Sequence, residues 1–349
     1  MNHFEHHIIP NSTTIRQALV LLNGLKDRFL ILFVIDEEGK MVGTITDGDI
    51  RRAFLSDVTM DDNVTKGVYR HFKFICKKDF TLQQFISYKE QDITLLPVLD
   101  EEGKILTIRN LKSLQSLLPL DAVIMAGGDG QRLRPLTEKT PKPLLKVGDK
   151  PIIEHNIDRL LKFGVENIHI TLRYLGEQIE EYFGDGSEKE ANIRYVKEED
   201  RLGTLGAVTL CEDFENDVVL VMNSDLLTNI DYEDFYKRFI ETKADMLIAA
   251  VPYAVTVPYA VLETKNHRVN RFVEKPTYTY HSNAGIYLIK KELLEKIDRN
   301  KKYDATDFMQ LLIEENKNVQ TYLLMEYWLD IGRHDDFEKA QIAIKHIKF

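Results

Sequence analysis

From residue 121 onward, short apolar runs alternate with segments whose apolar residues recur at the 3.6-residue period of a helix. The apolar runs predict strands at residues 123–125, 168–172, 193–196, 218–222, 246–251 and 286–289. Helical periodicity is clearest at residues 152–163 and 231–242. This alternation predicts an α/β fold, with a mostly parallel sheet, helices on both faces and ligands at the carboxyl ends of the strands.

The first third of the chain has a different pattern, in which one unit occurs twice. Each half predicts a helix followed by two strands. The first half has the helix at 13–23, a strand at 30–35 and a second strand with the start of a helix at 41–51, and the second half has a helix at 82–90 and strands at 94–99 and 105–108. Both halves also contain the turn sequence D-E-E-G-K, at residues 36–40 and 100–104. Residues 1–118 therefore resemble a pair of CBS domains, an α+β module whose halves pack together and often bind adenine nucleotides.

Thr46 and Asp49 are the candidate CBS ligands, because G-x-x-T-x-x-D from Gly43 matches that family's ligand pattern. The resemblance implies that the Thr hydroxyl holds phosphate and the Asp carboxylate holds ribose. The second half has Thr107 and Asn110 without the matching Gly and Asp. Thr and Asp are also good helix N-caps, so a purely structural role is equally open.

Length and charge set limits on the function. The 349 residues suffice for two domains. The short junction at 117–120 places the CBS pair at 1–118 and a catalytic domain at 119–349. Nearly all of the net charge of −10 lies after residue 118, which argues against binding polymeric nucleic acid.

No run approaches the ~20 apolar residues of a membrane span, and the start is not a signal peptide. With only two cysteines, we expect a cytoplasmic protein without a membrane partner.

A glycine-rich loop follows the predicted strand at 123–125. The sequence AGGDGQRLR runs from Ala126 and places glycines at 127, 128 and 130. Glycine lets backbone N–H groups approach phosphate oxygens closely, and Arg132 adds a planar cationic fork. Lys142 lies in a stiff Pro-Lys-Pro segment just beyond. The spacing fits neither G-x-G-x-x-G nor a Walker A loop.

Two carboxylates stand where apolar segments end. Asp225 follows the run at 218–222, where such folds place reactive groups, and either a divalent cation or a helix cap would explain it. Asp330 lies in the apolar segment YWLDIG, where an unpaired carboxylate is costly. Together with the glycine loop, the pair predicts a metal site.

The segment RFVEKP contains Glu274 and Lys275, which alternation places on opposite faces of a strand unless Pro276 twists its end. A ligand with hydroxyls and a phosphate would use both residues, although an exposed strand end is an alternative. The segment SNAGIY, with Asn283 and Gly285, predicts a small polar bend suited to a sugar ring.

As a set, these motifs closely resemble the nucleotidyltransferases that make nucleotide sugars from sugar 1-phosphates. The resemblance runs from Asp121 to the C-terminus. It rests on GGxGxRLxPLT, PKPLL, YLGEQI, LGTxG, the Asp at 225, EKP, NAGIY and WLDIG. It implies a Rossmann-like, glycosyltransferase-A-like domain. Two departures are Gln131, where Thr or Ser is commoner, and Ala260, which replaces a glycine.

The resemblance also implies residue roles. For catalysis these residues are Arg132, Lys142 and Lys275. For the nucleotide they are Ala126, Gly127, Gly128, Gly130, Glu198, Gly203 and Thr204. For the sugar phosphate they are Glu274, Lys275, Asn283 and Gly285. Asp225 and Asp330 would hold Mg²⁺, and the partners would be a nucleoside triphosphate and a sugar 1-phosphate.

The sequence constrains the base of the nucleotide and the identity of the sugar less than it constrains the reaction. Glu198 and Glu199 precede the LGTxG motif, and a carboxylate accepts both guanine N1–H and N2–H₂, which favours GTP. A solvated acidic loop is an equally good local explanation. A CBS pair ahead of a compact transferase resembles the guanylyltransferases that activate glucosamine 1-phosphate for legionaminic acid synthesis. Mannose or heptose 1-phosphate, and thymidylyl or uridylyl transfer, remain alternatives.

An inactive nucleotide-sensing protein is the alternative from another class. The presence of all the expected charged residues disfavours it. CBS pairs commonly associate, so we also expect a homo-oligomer.

Overall fold

The computed structural model describes residues 4–25, 29–76, 81–299 and 301–347. It divides the chain into two compact units, Met1–Leu117 and Leu118–Phe349. The predicted boundary after residue 118 lies one residue from this division. No helix in these described ranges is long and apolar enough to cross a membrane.

The first unit contains two copies of one small sheet. The elements are β1 (Ile8–Pro10), α1 (Ile15–Gly24), β2 (Ile31–Ile35), β3 (Met41–Thr46), α2 (Asp47–Phe54), β4 (Ile75–Cys76), α3 (Leu82–Glu90), β5 (Leu95–Leu99) and β6 (Ile105–Asn110). In each three-stranded copy the first and second strands pair parallel, and the second and third strands pair antiparallel. The repeat predicted from the sequence is therefore present in the structure.

The two D-E-E-G-K turns explain part of this repeat. Asp36 Oδ1 accepts hydrogen bonds from the N–H groups two and four residues further along, at 3.0 and 2.9 Å. Asp100 Oδ1 does the same at 2.9 and 2.8 Å. Gly39 and Gly103 both have a φ of 82°, which favours glycine. The same turn chemistry therefore fixes the same hairpin twice.

The second unit is built on a seven-stranded sheet. Its elements up to β12 are β7 (Asp121–Ala126), β8 (Lys146–Val147), β9 (Lys150–Pro151), α4 (Ile152–Lys162), β10 (Asn167–Leu172), α5 (Gly176–Phe183), β11 (Asn192–Lys197), α6 (Gly203–Gly206) and β12 (Val218–Asn223). The later elements are β13 (Leu226–Thr228), α7 (Tyr232–Glu241), β14 (Met246–Thr256), β15 (Val261–Lys265), β16 (Arg268–Val273), β17 (Thr277–Lys290), α8 (Lys291–Leu294), α9 (Ala305–Glu314), β18 (Val319–Leu323), β19 (Trp328–Asp330) and α10 (His334–Ala343).

The strand order of the large sheet is β11-β10-β7-β12-β17-β14-β18. All neighbouring pairs are parallel except the two that involve β17. This confirms the predicted α/β fold with a mostly parallel sheet. The run at 286–289 proves to be the end of one long antiparallel strand, whose direction the apolar pattern does not reveal.

Helices cover both faces of this sheet. Val221 of β12 packs in a core cluster with Phe308 and Leu312 of α9. The next residue, Met222, points the opposite way and accepts a hydrogen bond from Tyr232 of α7 at 3.5 Å. Strands covered on both faces read as continuous apolar runs, which explains the sequence pattern.

Beyond the sheet, β14 and β17 continue as a two-stranded extension that pairs residues 252–256 with residues 277–281. The hairpin of β15 and β16 lies between them in the chain. Nearly all residues from 252 to 281 are exposed. We call residues 252–281 the exposed ribbon. The sequence did not predict it, because the apolar run at 246–251 ends where the ribbon begins.

Candidate active site

A cleft of about 600 Å³ opens at the carboxyl ends of β7, β10 and β12. This volume is within the range of small-molecule sites, and the position is where α/β sheets bind ligands. The lining residues are Met125, Gly127, Gly128, Asp129, Gly130, Gln131, Arg132, Lys142, Pro143, Thr171, Arg173, Glu198, Arg201, Gly203, Thr204, Asn223, Ser224, Asp225, Asp304, Asp330 and Gly332.

The glycine loop forms one wall of the cleft. Gly130 has a φ of 61°, and a Cβ there would lie 2.9 Å from Thr137 and 3.0 Å from Lys142. Thr137 is buried and donates its hydroxyl hydrogen to Gly130 O at 2.8 Å. The conformation of the loop is thus fixed by the residues that follow it. Ala126 is buried in β7 and does not itself line the cleft.

Glu198 lies directly against Gly127. A Cβ at Gly127 would meet Glu198 Oε1 at 2.4 Å, so any other residue at this position would displace the carboxylate from where it now lies. Glu198 Oε2 accepts a hydrogen bond from Leu202 N at 3.3 Å, and burial raises the pKa of Glu198. Glu199, by contrast, is exposed and does not line the cleft. The structure therefore separates the two members of the acidic pair.

Lys142 and Asp225 form an ion pair in the cleft. Lys142 begins a 3-10 helix (Lys142–Leu144), and Asp225 lies two residues after the end of β12, directly before β13. The other oxygen of Asp225, Oδ1, is buried and has no hydrogen-bond partner within the described ranges. An orphaned buried carboxylate oxygen is costly unless a ligand satisfies it.

Asp330 is held next to Asp225 by strand pairing. In the antiparallel pair β13 and β19, Leu226 lies opposite Asp330, and Ile331 N donates to Asp225 O at 3.1 Å. Desolvation by the cleft walls, followed by the charge of Asp225, raises the pKa of Asp330, although its side chain keeps contact with solvent. Two distant segments thus bring two like charges together.

The two carboxylates fit a magnesium ion. Mg²⁺ is usually held by one or two carboxylates together with substrate phosphates. The orphaned Oδ1 of Asp225 and the raised pKa of Asp330 are both relieved by a cation. Across the described part of the chain, no group of three or more His, Cys, Asp or Glu has metal-ligand geometry.

Replacing Asp330 with asparagine is expected to raise the thermal unfolding midpoint at neutral pH without Mg²⁺. A carboxyl whose pKa is raised on folding destabilises the folded state when ionised. This cost is absent below the ordinary value of 3.8 and grows as the pH rises. The gain should therefore appear near pH 7 and vanish in acid, as followed by circular dichroism in EDTA. A lower midpoint for the variant at pH 7 would show that neither burial nor the charge of Asp225 makes the ionised Asp330 destabilising.

None of the four residues assigned to the sugar phosphate lines the cleft. Glu274 and Lys275 follow the end of β16 and are exposed, with Lys275 at a φ of 45°, so neither is on a strand face. Asn283 is exposed and donates to Tyr287 Oη at 2.8 Å. Gly285 is buried at a bulge with a φ of 72°, and its Cβ position is 2.5 Å from Asn223 Nδ2 in the cleft. Their roles in sugar binding stay predictions.

Gly203 and Thr204 line the cleft as expected, but the threonine hydroxyl is already engaged. Thr204 Oγ1 accepts a hydrogen bond from Ala305 N, the first residue of α9, at 2.6 Å. A Cβ at Gly203 would meet Asp304 Oδ1 at 2.4 Å. Asp304 also lines the cleft, and sequence reasoning missed it. These contacts join two loops that are about a hundred residues apart in sequence.

In the first unit, Thr46 and Asp49 form a reciprocal capping box at the start of α2. Asp49 Oδ2 accepts from Thr46 N at 2.9 Å, and Asp49 Oδ1 pairs with Arg52 at 2.5 Å. A Cβ at Gly43 would lie 2.6 Å from Tyr69 O, so this glycine permits a close approach of backbone. The helix-capping interpretation is therefore realised, and nucleotide binding by these residues stays a prediction.

Sequence reasoning also missed three charged residues of the cleft. Arg173 directly follows β10, Arg201 lies in the loop before α6, and Asp129 lies between Gly128 and Gly130 of the glycine loop. Asp129 forms ion pairs with both arginines. The signal that could have found Arg173 is its position at a strand end, as for Asp225. Nothing local in the sequence identifies Arg201.

Comparison with known proteins gives a family match in each of the two units. A family model described as nucleotidyl transferase matches residues 121–346, and a CBS domain model matches residues 5–56. The D-glycero-alpha-D-manno-heptose 1-phosphate guanylyltransferase of Aneurinibacillus thermoaerophilus is 32% identical over 234 residues, which are 65% of this chain and 99% of that protein. The mannose-1-phosphate guanylyltransferase of Mycobacterium tuberculosis is 31% identical over 227 residues, 63% of each chain.

Other relatives differ in length or function. The bifunctional protein GlmU of Methanocaldococcus jannaschii is 32% identical over 63% of this chain, which spans about half (53%) of that relative. Among solved structures, HddC from Yersinia pseudotuberculosis, complexed with GMP-PN, aligns with a TM-score of 0.51 and 26% identity. That alignment covers 64% of this chain and 98% of HddC. The family match and the cleft geometry together lead to one conclusion: the chain belongs to the nucleotidyl transferase family and also contains a CBS domain.

Proposed function

We propose that the protein transfers a nucleoside monophosphate from a nucleoside triphosphate to a sugar 1-phosphate and releases pyrophosphate. The observation that carries this proposal is the cleft that combines the glycine loop, Lys142 and the Asp225–Asp330 pair at the strand ends. The relatives named as guanylyltransferases of sugar 1-phosphates support the same reaction.

The chemistry needs no protein nucleophile. An oxygen of the sugar 1-phosphate attacks the α-phosphorus in line, the bond to the bridging oxygen breaks, and pyrophosphate leaves with that electron pair. The attacking oxygen is already anionic, so a general base is not required. Lys142 and Arg132 neutralise charge on the phosphates, while the glycine loop offers backbone N–H donors. When bound at Asp225 and Asp330, Mg²⁺ supplies further neutralisation of the phosphate oxygens.

We propose GTP as the nucleotide substrate, with Glu198 as the residue that reads guanine. Glu198 faces the cleft beside Gly127, whereas Glu199 is exposed outside it. An ionised carboxylate accepts from guanine N1–H and N2–H₂, a pair of donors that the other common bases lack. The GMP-PN complex of HddC and the guanylyltransferase relatives support this choice.

Replacing Glu198 with glutamine is expected to lower kcat/KM for GTP by about 10- to 100-fold, the scale of losing a hydrogen bond to a charged group. The rate with ATP, UTP or dTTP should change less, because those bases do not offer the paired donors. Glu199→Gln is the matched control, and it should leave the GTP rate within about twofold. Equal losses for all four nucleotides would argue against base recognition by Glu198.

We propose glucosamine 1-phosphate as the preferred sugar substrate, bound through Glu274, Lys275, Asn283 and Gly285. The arrangement of a CBS domain ahead of a compact transferase supports this choice by resemblance to the enzymes of legionaminic acid synthesis. Gly285 lies in β17 beyond the end of the exposed ribbon, and a Cβ there would be 2.5 Å from Asn223 Nδ2, so this part of β17 lies against the cleft lining. Mannose and heptose 1-phosphates are the runners-up, since the named relatives act on them.

The sugar proposal is tested by product analysis. The protein, GTP and Mg²⁺ are incubated with glucosamine, mannose, heptose and glucose 1-phosphates, and the nucleotide sugars are separated and identified by mass. The highest kcat/KM is expected for glucosamine 1-phosphate. A higher value for mannose or heptose 1-phosphate would replace the proposed sugar and leave the reaction class intact.

A further inference from the structure

Asp129, which lies between two glycines of the glycine loop, is surrounded by cationic and amide donors. The guanidinium groups of Arg173 and Arg201 both pair with its carboxylate. Gln131 Nε2 donates to Asp129 Oδ2 at 3.3 Å. The side chain of Asp129 is only 15% exposed, compared with 23% for Arg173 and 64% for Arg201. All four residues line the cleft.

This carboxylate stands where an anionic ligand is expected. The loop should present backbone N–H groups to phosphate oxygens, and a carboxylate beside them repels a polyphosphate. Guanidinium groups bind carboxylate and phosphate with the same planar, bidentate geometry. The two arginines are therefore equally suited to the oxygens of a triphosphate, and Asp129 competes for them.

Asp129 is charged at neutral pH. Burial in the loop raises its pKa, but hydrogen bonding and the charges of Arg173 and Arg201 outweigh this, and the net shift is downward. Arg201, which is the more exposed of the two arginines, can turn towards an incoming ligand at little cost in packing.

We propose that Asp129 is a placeholder for polyphosphate in the nucleotide-free protein, and that Arg173 and Arg201 are further phosphate-binding residues that exchange Asp129 for the nucleotide. Gln131 helps to hold Asp129 in this position, which gives a role to the unusual residue before Arg132. The proposal rests on the proposed nucleotidyl transfer, since it concerns the same cleft. It predicts that the free protein restrains its own affinity for nucleotide.

The opposite role for Asp129 makes a different prediction. If Asp129 only positioned the arginines, then its removal would disorder them and weaken the binding of phosphate. If Asp129 competes with phosphate, then removing its charge should tighten binding. Asp129→Asn keeps the size of the side chain and removes the charge, so the sign of the change in Kd distinguishes the two roles.

The experiment is calorimetric titration of the full chain with inorganic tripolyphosphate and, separately, with GTP. Tripolyphosphate reports on the phosphate site without the base. Asp129→Asn is expected to lower the Kd for both probes by about 10-fold, the scale of hydrogen bonds to charged groups. Asp129→Ser should shift Kd in the same direction. Arg201→Ala should raise the Kd for both probes. The double variant D129N/R201A should lose most of the gain in affinity that Asp129→Asn produces alone.

Asp200→Asn is the matched control. Asp200 is exposed, adjacent to Arg201 and outside the cleft lining, so this variant removes the same charge nearby without freeing an arginine. Its Kd should stay within about twofold of the original protein, because exposed charges are largely screened. If Asp200→Asn lowered the Kd as much as Asp129→Asn, then the change in net charge alone would explain the effect, and the proposal would be overturned.

An unchanged or higher Kd for both Asp129 variants would also overturn it. This failure is distinguishable from failure of the proposed function. If the unmodified protein releases pyrophosphate but Asp129→Asn binds no more tightly, then only the placeholder role is wrong. If the unmodified protein neither binds tripolyphosphate nor releases pyrophosphate, then the proposal of nucleotidyl transfer is itself wrong.

Discussion

Replacing Lys142 with methionine is expected to lower kcat by about 10²- to 10³-fold, the loss typical of removing one donor to transition-state charge. Lys142 lies in the cleft between the glycine loop and Asp225, and methionine keeps its packing against Gly130 while removing the ammonium group. The KM values should change much less, because the charge on the phosphates that Lys142 neutralises grows in the transition state. Steady-state kinetics of pyrophosphate release measure both quantities.

Lys139→Met is the matched control for this prediction. Lys139 is exposed, three residues from Lys142, and does not line the cleft. Its kinetics should stay close to those of the unmodified protein. A large rise in KM with kcat unchanged for Lys142→Met would show that Lys142 only binds the ground state.

Replacing Asp225 with asparagine is expected to lower the initial rate by about 10²- to 10³-fold at low Mg²⁺. This loss is similar in size to the one expected for Lys142→Met. Asp225 carries the orphaned buried oxygen of the proposed metal site and pairs with Lys142. Because Asp330 remains in the variant, raising the Mg²⁺ concentration should restore part of the rate. The diagnostic result is a shift of the Mg²⁺ dependence to higher concentration, measured by initial rates.

Asp335→Asn serves as the control, since Asp335 is an exposed carboxylate near the start of α10 and outside the cleft lining. It should show the Mg²⁺ dependence of the unmodified protein. If Asp225→Asn lost activity with no change in Mg²⁺ dependence, then Asp225 would act through Lys142 alone and the metal assignment would be wrong.

The sequence predicts the parts of this site that depend on local patterns. The glycine loop follows the buried strand β7, and Asp225 lies between the buried strands β12 and β13, whose apolar residues mark them clearly. Asp330 ends the half-buried β19 within an apolar segment of the sequence. In a parallel sheet the carboxyl ends of neighbouring strands meet, so β7 and Asp225 could be brought together from pattern alone. Lys142 was identified from its stiff Pro-Lys-Pro segment, which the structure places beside the same loop.

The parts that the sequence did not predict depend on long-range contacts. The ion pair of Asp129 with Arg201 joins residues that are 72 positions apart, and the contact of Gly203 with Asp304 joins two separate loops. Neither follows from spacing, because no periodicity links the partners. The direction of β17 was also missed, since an apolar run reads the same in either orientation.

The exposed ribbon is another part of the structure that the sequence did not predict. The EKP segment was expected at the end of a strand, and the structure places it just after β16, where backbone geometry rather than strand alternation orients Glu274 and Lys275. Their assignment to the sugar phosphate therefore rests on resemblance. Nucleotide binding by the first unit is also still a prediction, because the side chains of Thr46 and Asp49 already cap α2.

The most direct test of the account is the release of pyrophosphate by the full-length chain with Mg²⁺. GTP, ATP, UTP, CTP and dTTP are each incubated with a panel of sugar 1-phosphates, and pyrophosphate is detected by a coupled assay. The account predicts release that requires both substrates and Mg²⁺ and is fastest with GTP. Absence of release with every pair, from protein shown to be folded, would contradict nucleotidyl transfer and favour a nucleotide-sensing role.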